Sequence, residues 1–214
     1  MALHFETMSR FMHQNLLELM RSPQLQQFAL GDTTALSLKY GHRMSNELDL
    51  YSSQEFQESD LQRIKQYLQA SFGNTEQHVF QPKKHGTSLF LYNLNKDAVK
   101  IDVYFSVQNT LPTETIENIR FLSQDDLHAQ LLENIRITGS KSHFWDLHFL
   151  LSKFSLNELI ESYKKRYPEQ SVSELKKKLT QFTRADEEPD PKCLLGKNWN
   201  LIKLDLTDAV KGNK

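Results

Sequence analysis

The residues of this chain that could do chemistry are carboxylates set in alternating sequence. In Glu47-Leu48-Asp49-Leu50-Tyr51 polar and apolar residues take turns, and the same holds from Val99 to Phe105. Successive side chains of a strand point to opposite faces. Glu47 and Asp49 therefore share one face while Leu48 and Leu50 enter a core. Lys100, Asp102 and Tyr104 share a face opposite Val99, Ile101, Val103 and Phe105. If the two strands are neighbours, Glu47, Asp49 and Asp102 converge. Such a trio can hold one or two Mg2+ ions, hard cations that take oxygen ligands and bridge substrate phosphates. The competing reading is a solvated strand face, on which alternating acids are common.

Those carboxylates need elements to position them. Phe5, Met8, Phe11, Met12, Leu16 and Leu19 recur at helical spacing and predict a helix from Phe5 to Met20. Gln27 to Leu30 predicts a short strand running into Gly31, Thr34 to Tyr40 a helix stopped by Gly41, and Glu47 to Tyr51 a half-buried strand. Ser59-Asp60 opens a helix with Leu61, Ile64, Leu68 and Phe72 on one stripe and Gly73 at its end. Strand candidates follow over 75–81, 87–94 and 98–106, the last two joined by the turn Asn95-Lys96-Asp97. After Pro112 the pattern turns helical over 126–135, 143–153, 156–167 and 172–182, with Ser155 and Ser171 as N-caps of the last two. The Pro- and acid-rich stretch 184–191 reads as a linker to a terminal helix carrying Trp199, Ile202, Leu206 and Val210. The expected domains are an α/β unit over 1–112 and a helical unit over 113–214.

Composition narrows the function classes. At 214 residues with 38% hydrophobic and 25% charged residues, the chain has room for a real core. No apolar run is long enough to span a membrane, and the start MALHFETMSRFMHQN lacks the pattern of a signal peptide. The single cysteine, Cys193, excludes an internal disulfide and a cysteine metal cluster. The expectation is a cytoplasmic protein. A net charge of −1 gives no global basic footprint for nucleic acid. Lys164-Lys165-Arg166 beside Tyr163 and Tyr167 could stack and bind RNA, or form an ordinary amphipathic face with Lys176-Lys177-Lys178.

The order of parts adds a resemblance. A strand, a small-residue turn opening a helix, then Ser-x-acid-x-Asp on the next strand is the layout of the nucleotidyltransferase fold. More narrowly, LGDTTALSLKYGHRMSNELDLYS, from Leu30 to Ser52, resembles the AbiEii/AbiGii toxin family. Its members are nucleotidyltransferase-like toxins of bacterial type IV toxin–antitoxin and phage-resistance systems. VKIDVYF matches the family's third-acid strand. SKSHFWDLHFLLSKFSLNELIESYKKRYP matches its helical region, and RADEEPDPKCLLGKNWNLIK its closing acidic linker and Trp helix. The resemblance implies an α+β fold: a nucleotidyltransferase-like mixed sheet with flanking helices, followed by a helical C-terminal half. It implies that Glu47, Asp49 and Asp102 carry Mg2+ or Mn2+. Gly31, Thr33, Thr34, Arg43 and Ser45 would meet an NTP, with the triphosphate at a helix N-terminus. The implied acceptor is RNA, such as a tRNA 3′ end, or a protein hydroxyl, and the implied partner is an antitoxin protein. Neither membrane association nor DNA sequence recognition is expected. On residue grounds alone, Arg43 could instead pair with a carboxylate, and Ser45 could orient the acids.

Several positions depart from the family pattern. Its Gly-Gly falls on Asp32 and Thr33, and a carboxylate near a triphosphate is repelled by roughly 4 kcal/mol at about 4 Å. Glu47 stands where an Asp is usual. Leu131 and Thr138 stand where the family has Lys and Arg, and Ser142-His143 where it has Lys-Asp; Asp146 is kept. These departures support a second expectation, a catalytically degenerate member acting as a binding or regulatory partner.

Overall fold

The computed structural model describes residues 2–54, 56–72, 79–83, 86–92, 97–105 and 113–212. Gly73, residues 75–78 of the first strand candidate after it, Asn95, Lys96 and Pro112 lie outside the described residues. Among the described residues seven strands form one mixed sheet: β1 Ala29–Leu30, β2 Glu47–Tyr51, β3 Val79–Lys83, β4 Gly86–Tyr92, β5 Ala98–Tyr104, β6 Glu114–Ile116 and β7 Ile119–Phe121. Their order across the sheet is β3-β4-β5-β2-β1-β7-β6. The β2–β5 and β1–β7 pairs are parallel and the others antiparallel. The alternation of β2 and β5 puts Leu48, Leu50, Val99, Ile101 and Val103 into the core, each at most 1% exposed.

Helices cover the sheet and extend beyond it: α1 Arg10–Arg21, α2 Asp32–Tyr40, α3 Glu58–Phe72, α4 Gln124–Ile137, α5 Lys141–Leu150, α6 Leu156–Arg166, α7 Val172–Lys178, α8 Thr183–Glu187 and α9 Trp199–Lys211. Helix α1 packs on β5 and β7, α2 touches β2, α4 and α5, and α4 packs on α6 and α7. The result is the α+β architecture expected, with the helical half built outward from α4.

Four of the departures from the sequence expectation have a clear local reason. The first helix is broken: Phe5–Thr7 is a 3-10 turn, and Ser9 caps a new helix by accepting from Met12 N–H at 3.1 Å. The expected helix over 172–182 stops at Lys178, with Leu179 as its C-cap. The acidic stretch 184–191 is partly helical through α8, where Asp186 accepts from the Trp199 indole at 2.7 Å. The purely helical reading beyond Pro112 is also corrected, because 114–121 form a hairpin that extends the sheet. Its turn residues Glu117 and Asn118 are both left-handed, with φ of 47° and 64°, as a two-residue hairpin turn requires. Arg120 secures that hairpin by donating to the carbonyls of Met20, Leu25 and Phe28 at 2.7, 3.0 and 2.8 Å. Capping by Ser155 and Ser171 follows the expectation.

Candidate active site

The parallel β2–β5 pair builds the site as a grid of three rows. Glu47 lies opposite Lys100, Asp49 opposite Asp102, and Tyr51 opposite Tyr104. All six side chains share one face, because they are two residues apart on each strand. The middle row of that face is buried, with Asp49 4% and Asp102 2% exposed, while Glu47 and Lys100 are half-buried at its rim. In the bottom row the tyrosine rings stack at 4.7 Å. In the top row the Lys100 ammonium lies 3.2 Å from Glu47 Oε2 and also 3.0 Å from Asp102 Oδ2.

The middle row is unevenly satisfied. Ser88 donates to Asp102 Oδ1 at 2.5 Å and Tyr104 O–H to Oδ2 at 3.1 Å. Asp49 Oδ2 is buried with no hydrogen-bond partner. Burial, and then the charges of Asp32, Glu47 and Asp102, push the Asp49 carboxyl well above the ordinary carboxylate range; Lys100 pulls the other way. Burial disfavours charge on Lys100, but Asp102 and Glu47 outweigh it and raise its affinity for the proton. Among the described residues no group of three or more His, Cys, Asp and Glu side chains is arranged to hold a metal ion. Asp49 and Asp102 are brought side by side, while Glu47 is engaged by Lys100.

The turn before α2 is held by its own residues. Gly31 N–H donates to Asp49 O at 2.9 Å. A Cβ at Gly31 would lie 2.6 Å from the Tyr51 ring and 2.8 Å from Leu122, so packing demands glycine there. Asp32 is left-handed at φ 55°, a conformation that glycine adopts freely and Asp tolerates better than most residues. Its N–H donates to Gln130 Oε1 at 3.1 Å, and its Oδ1 accepts from Thr33 N–H at 2.6 Å. Asn134 donates to both Asp32 carboxylate oxygens at 2.9 Å, and Tyr51 O–H to Oδ2 at 3.3 Å. Burial raises the affinity of Asp32 for its proton, offset in part by His143 and reinforced by Glu47. From α4, it is Gln130 and Asn134 that reach the turn. Leu131 is 1% exposed in the core, so the unexpected residue at that position contributes packing.

Thr34 and Ser45 face inward. Their hydroxyls are 2.5 Å apart, and Thr34 O–H also donates to Glu47 O at 2.5 Å. They tie α2 to the start of β2. Arg43 donates through Nε and Nη2 to Asp146 Oδ1 and Oδ2 at 2.5 and 2.7 Å, and His42 Nε2 lies 2.6 Å from the same Oδ1. Thr33, Arg43, Ser45 and Glu47 line a cleft of about 550 Å³, closed on another side by Ser142 and Asp190. The segment after α8 runs along this cleft: Lys192 O accepts from Met44 N–H at 2.9 Å, and Leu194 N–H donates to His42 O at 3.0 Å.

Away from the cleft, the aromatic-and-basic grouping of α6 is split, with Tyr163 and Arg166 buried and Lys164 and Lys165 exposed. Tyr163 is buried and donates to Glu133 at 2.8 Å, and buried Arg166 pairs with Asp126. That corrects the option of RNA stacking on Tyr163. Trp145 packs in the core, and His148 pairs with Asp205 at 2.9 Å. Ser88, Gln130 and Asn134 escaped sequence reading because each reaches the site from a distant segment. Tyr51 and Tyr104 were within reach, since each follows an acid by two residues.

Comparisons with known proteins identify the family and the fold. The family described as "Nucleotidyl transferase AbiEii toxin, Type IV TA system" matches residues 15–210. The uncharacterized protein aq_aa25 of Aquifex aeolicus is 30% identical over 167 residues, 75% of this chain and 76% of that relative. Two solved structures share the fold. JHP933 from Helicobacter pylori has a TM-score of 0.55 at 17% identity, covering 95% of this chain and 92% of its own. MenT4, a nucleotidyltransferase toxin of Mycobacterium tuberculosis, has a TM-score of 0.56 at 10% identity, covering 86% of this chain and 74% of its own.

Proposed function

Because this chain belongs to the AbiEii family of nucleotidyltransferase toxins of type IV toxin–antitoxin systems, we propose that it transfers a nucleotidyl group from an NTP to an RNA or protein hydroxyl. The observation that carries this reading is the Asp49–Asp102 pair on adjacent parallel strands, with one buried Asp49 oxygen lacking any hydrogen-bond partner. An orphaned buried carboxylate oxygen is costly, and a hard divalent cation is the partner whose chemistry suits it. Asp49 and Asp102 would hold Mg2+ or Mn2+, with Glu47 joining them when it leaves Lys100. Held there, such an ion would supply positive charge against the phosphates of the NTP. The acceptor oxygen forms a bond to the α-phosphorus, the α–β phosphoanhydride bond breaks, and pyrophosphate leaves. Thr33, which lines the cleft, would meet the triphosphate, while Arg43 and Ser45 border the same cleft with their side chains engaged within the fold. Gly31 and Thr34 hold the turn in shape from below. The family also points to a cognate antitoxin as partner.

Calorimetric titration with each of the four NTPs, in Mg2+ and again in Mn2+, tests this. Micromolar binding that disappears in Asp49→Asn is expected. Equal binding by the variant would sink the metal assignment.

A second reading, a catalytically degenerate member kept as a binding or regulatory partner, rests on the turn. There the N–H groups of Gly31, Asp32 and Thr33 are already bonded within the chain. The Asp32 carboxylate sits on one of the donors that a phosphate would use. No binding by the parent, together with binding by Asp32→Gly, would favour this second reading.

A further inference from the structure

The Lys100 ammonium bridges two of the three carboxylates that the proposed reaction needs. It is 3.2 Å from Glu47 Oε2 and 3.0 Å from Asp102 Oδ2, within the range of N–H···O hydrogen bonds. Its place is fixed by strand register. Lys100 lies directly across β2–β5 from Glu47 and two residues before Asp102 on the same face. Among the described residues, no other cation competes for that place from nearby strand positions. Arg43 spends two of its nitrogens on Asp146 and a third on the Met44 carbonyl, at 2.9 Å.

We infer that Lys100 Nζ occupies, as a covalently attached monovalent ion, one of the two cation positions of this carboxylate cluster, so that the chain takes a single divalent cation, at Asp49 and Asp102. This inference rests on the nucleotidyl-transfer reading above. One ammonium offsets only part of the charge of the three strand carboxylates, and Asp32 adds to the negative field at Asp49, so the site stays net negative and suits a divalent ion. The vacant coordination matches: the buried oxygen without a partner belongs to Asp49, the acid that Lys100 does not touch. Glu47, by contrast, is paired with Lys100 without a metal. Lys100 thereby holds the Glu47 carboxylate in place of a metal.

The test counts bound Mn2+ by electron paramagnetic resonance, without nucleotide, in the parent, Lys100→Met, Lys100→Gln and Asp49→Asn. Each protein's melting curve is recorded with and without Mn2+ to establish that it is folded. One Mn2+ per chain is expected in the parent, none in Asp49→Asn, and two in either Lys100 variant. The melting temperature of the Lys100 variants should also rise more with Mn2+ than that of the parent. One Mn2+ in the parent and still one in both folded Lys100 variants would overturn the inference while leaving the metal assignment standing. Two Mn2+ in the parent would overturn it as well. No Mn2+ in the parent or in either Lys100 variant would overturn the metal assignment itself, and the inference with it.

Discussion

Two buried aspartates, Asp49 and Asp146, stand in opposite electrostatic circumstances. Asp146 is wholly buried, yet both its oxygens are taken, by the Arg43 fork and by His42. Burial alone would raise its proton affinity, but Arg43 and His42 outweigh it and hold the carboxyl below its ordinary range. Asp49 is just as enclosed, but its neighbours are Asp32, Glu47 and Asp102, and its carboxyl is pushed well above that range. Burial is common to both, so the sign of the neighbouring charge decides the difference. Asp146, with both oxygens held by the Arg43 fork, serves the fold. An acid whose surroundings disfavour its charge, and which keeps an unpaired oxygen, is open to a cation from outside.

The heaviest loss is expected on the satisfied side. Asp146→Asn leaves the Arg43 guanidinium buried without its counter-charge and should cost about 3–5 kcal/mol, read by urea unfolding at neutral pH. A loss below about 1 kcal/mol would mean that the pair is better solvated than its burial indicates.

The next effect has the opposite sign. With its folded-state pKa raised above the unfolded value of about 3.9, Asp49 makes the metal-free fold hold its proton more tightly than the unfolded chain does. Stability attributable to Asp49 is therefore greatest at acid pH and is lost as pH rises through the folded pKa. In EDTA at neutral pH, Asp49→Asn should be more stable than the parent. Asp146 behaves in reverse: its contribution is present at neutral pH and is lost as pH falls below the ordinary carboxylate range. Parallel pH–stability curves for the parent and Asp49→Asn would contradict the contrast between the two acids.

A smaller effect is expected where the two regions meet. Thr34 bonds both Ser45 and the Glu47 carbonyl and so couples α2 to the acid strand. Thr34→Val should cost about 1 kcal/mol in chemical denaturation. It should also weaken NTP binding by less than Asp49→Asn does, because Thr34 positions the strand from within.

Much of the site was legible because strand alternation is a local rule. ELDLY and VKIDVYF fix which side chains share a face, and the resemblance that runs from Leu30 to Ser52 placed the strands in one known fold. The paired role of Arg43 was also among the options open from sequence. The hairpin at 114–121 was not legible, since three-residue strands carry too little periodicity and Glu117 is not a usual residue for a left-handed turn. The contribution of Leu131 was hidden for a different reason. Aligning it with a family Lys says nothing of the direction its side chain takes on α4.

Local sequence thus settled the faces of the strands, the caps of α6 and α7, and the types of charge available at the site. How those charges are distributed was left to packing between distant segments. The β2–β5 register set Lys100 opposite Glu47 and left Asp49 beside Asp102. Helix α4 brought Gln130 and Asn134 onto the Asp32 turn, and α5 brought Asp146 onto Arg43. The reason is range: side-chain direction is set within a few residues, whereas a buried charge takes its energy from whichever groups the fold packs against it.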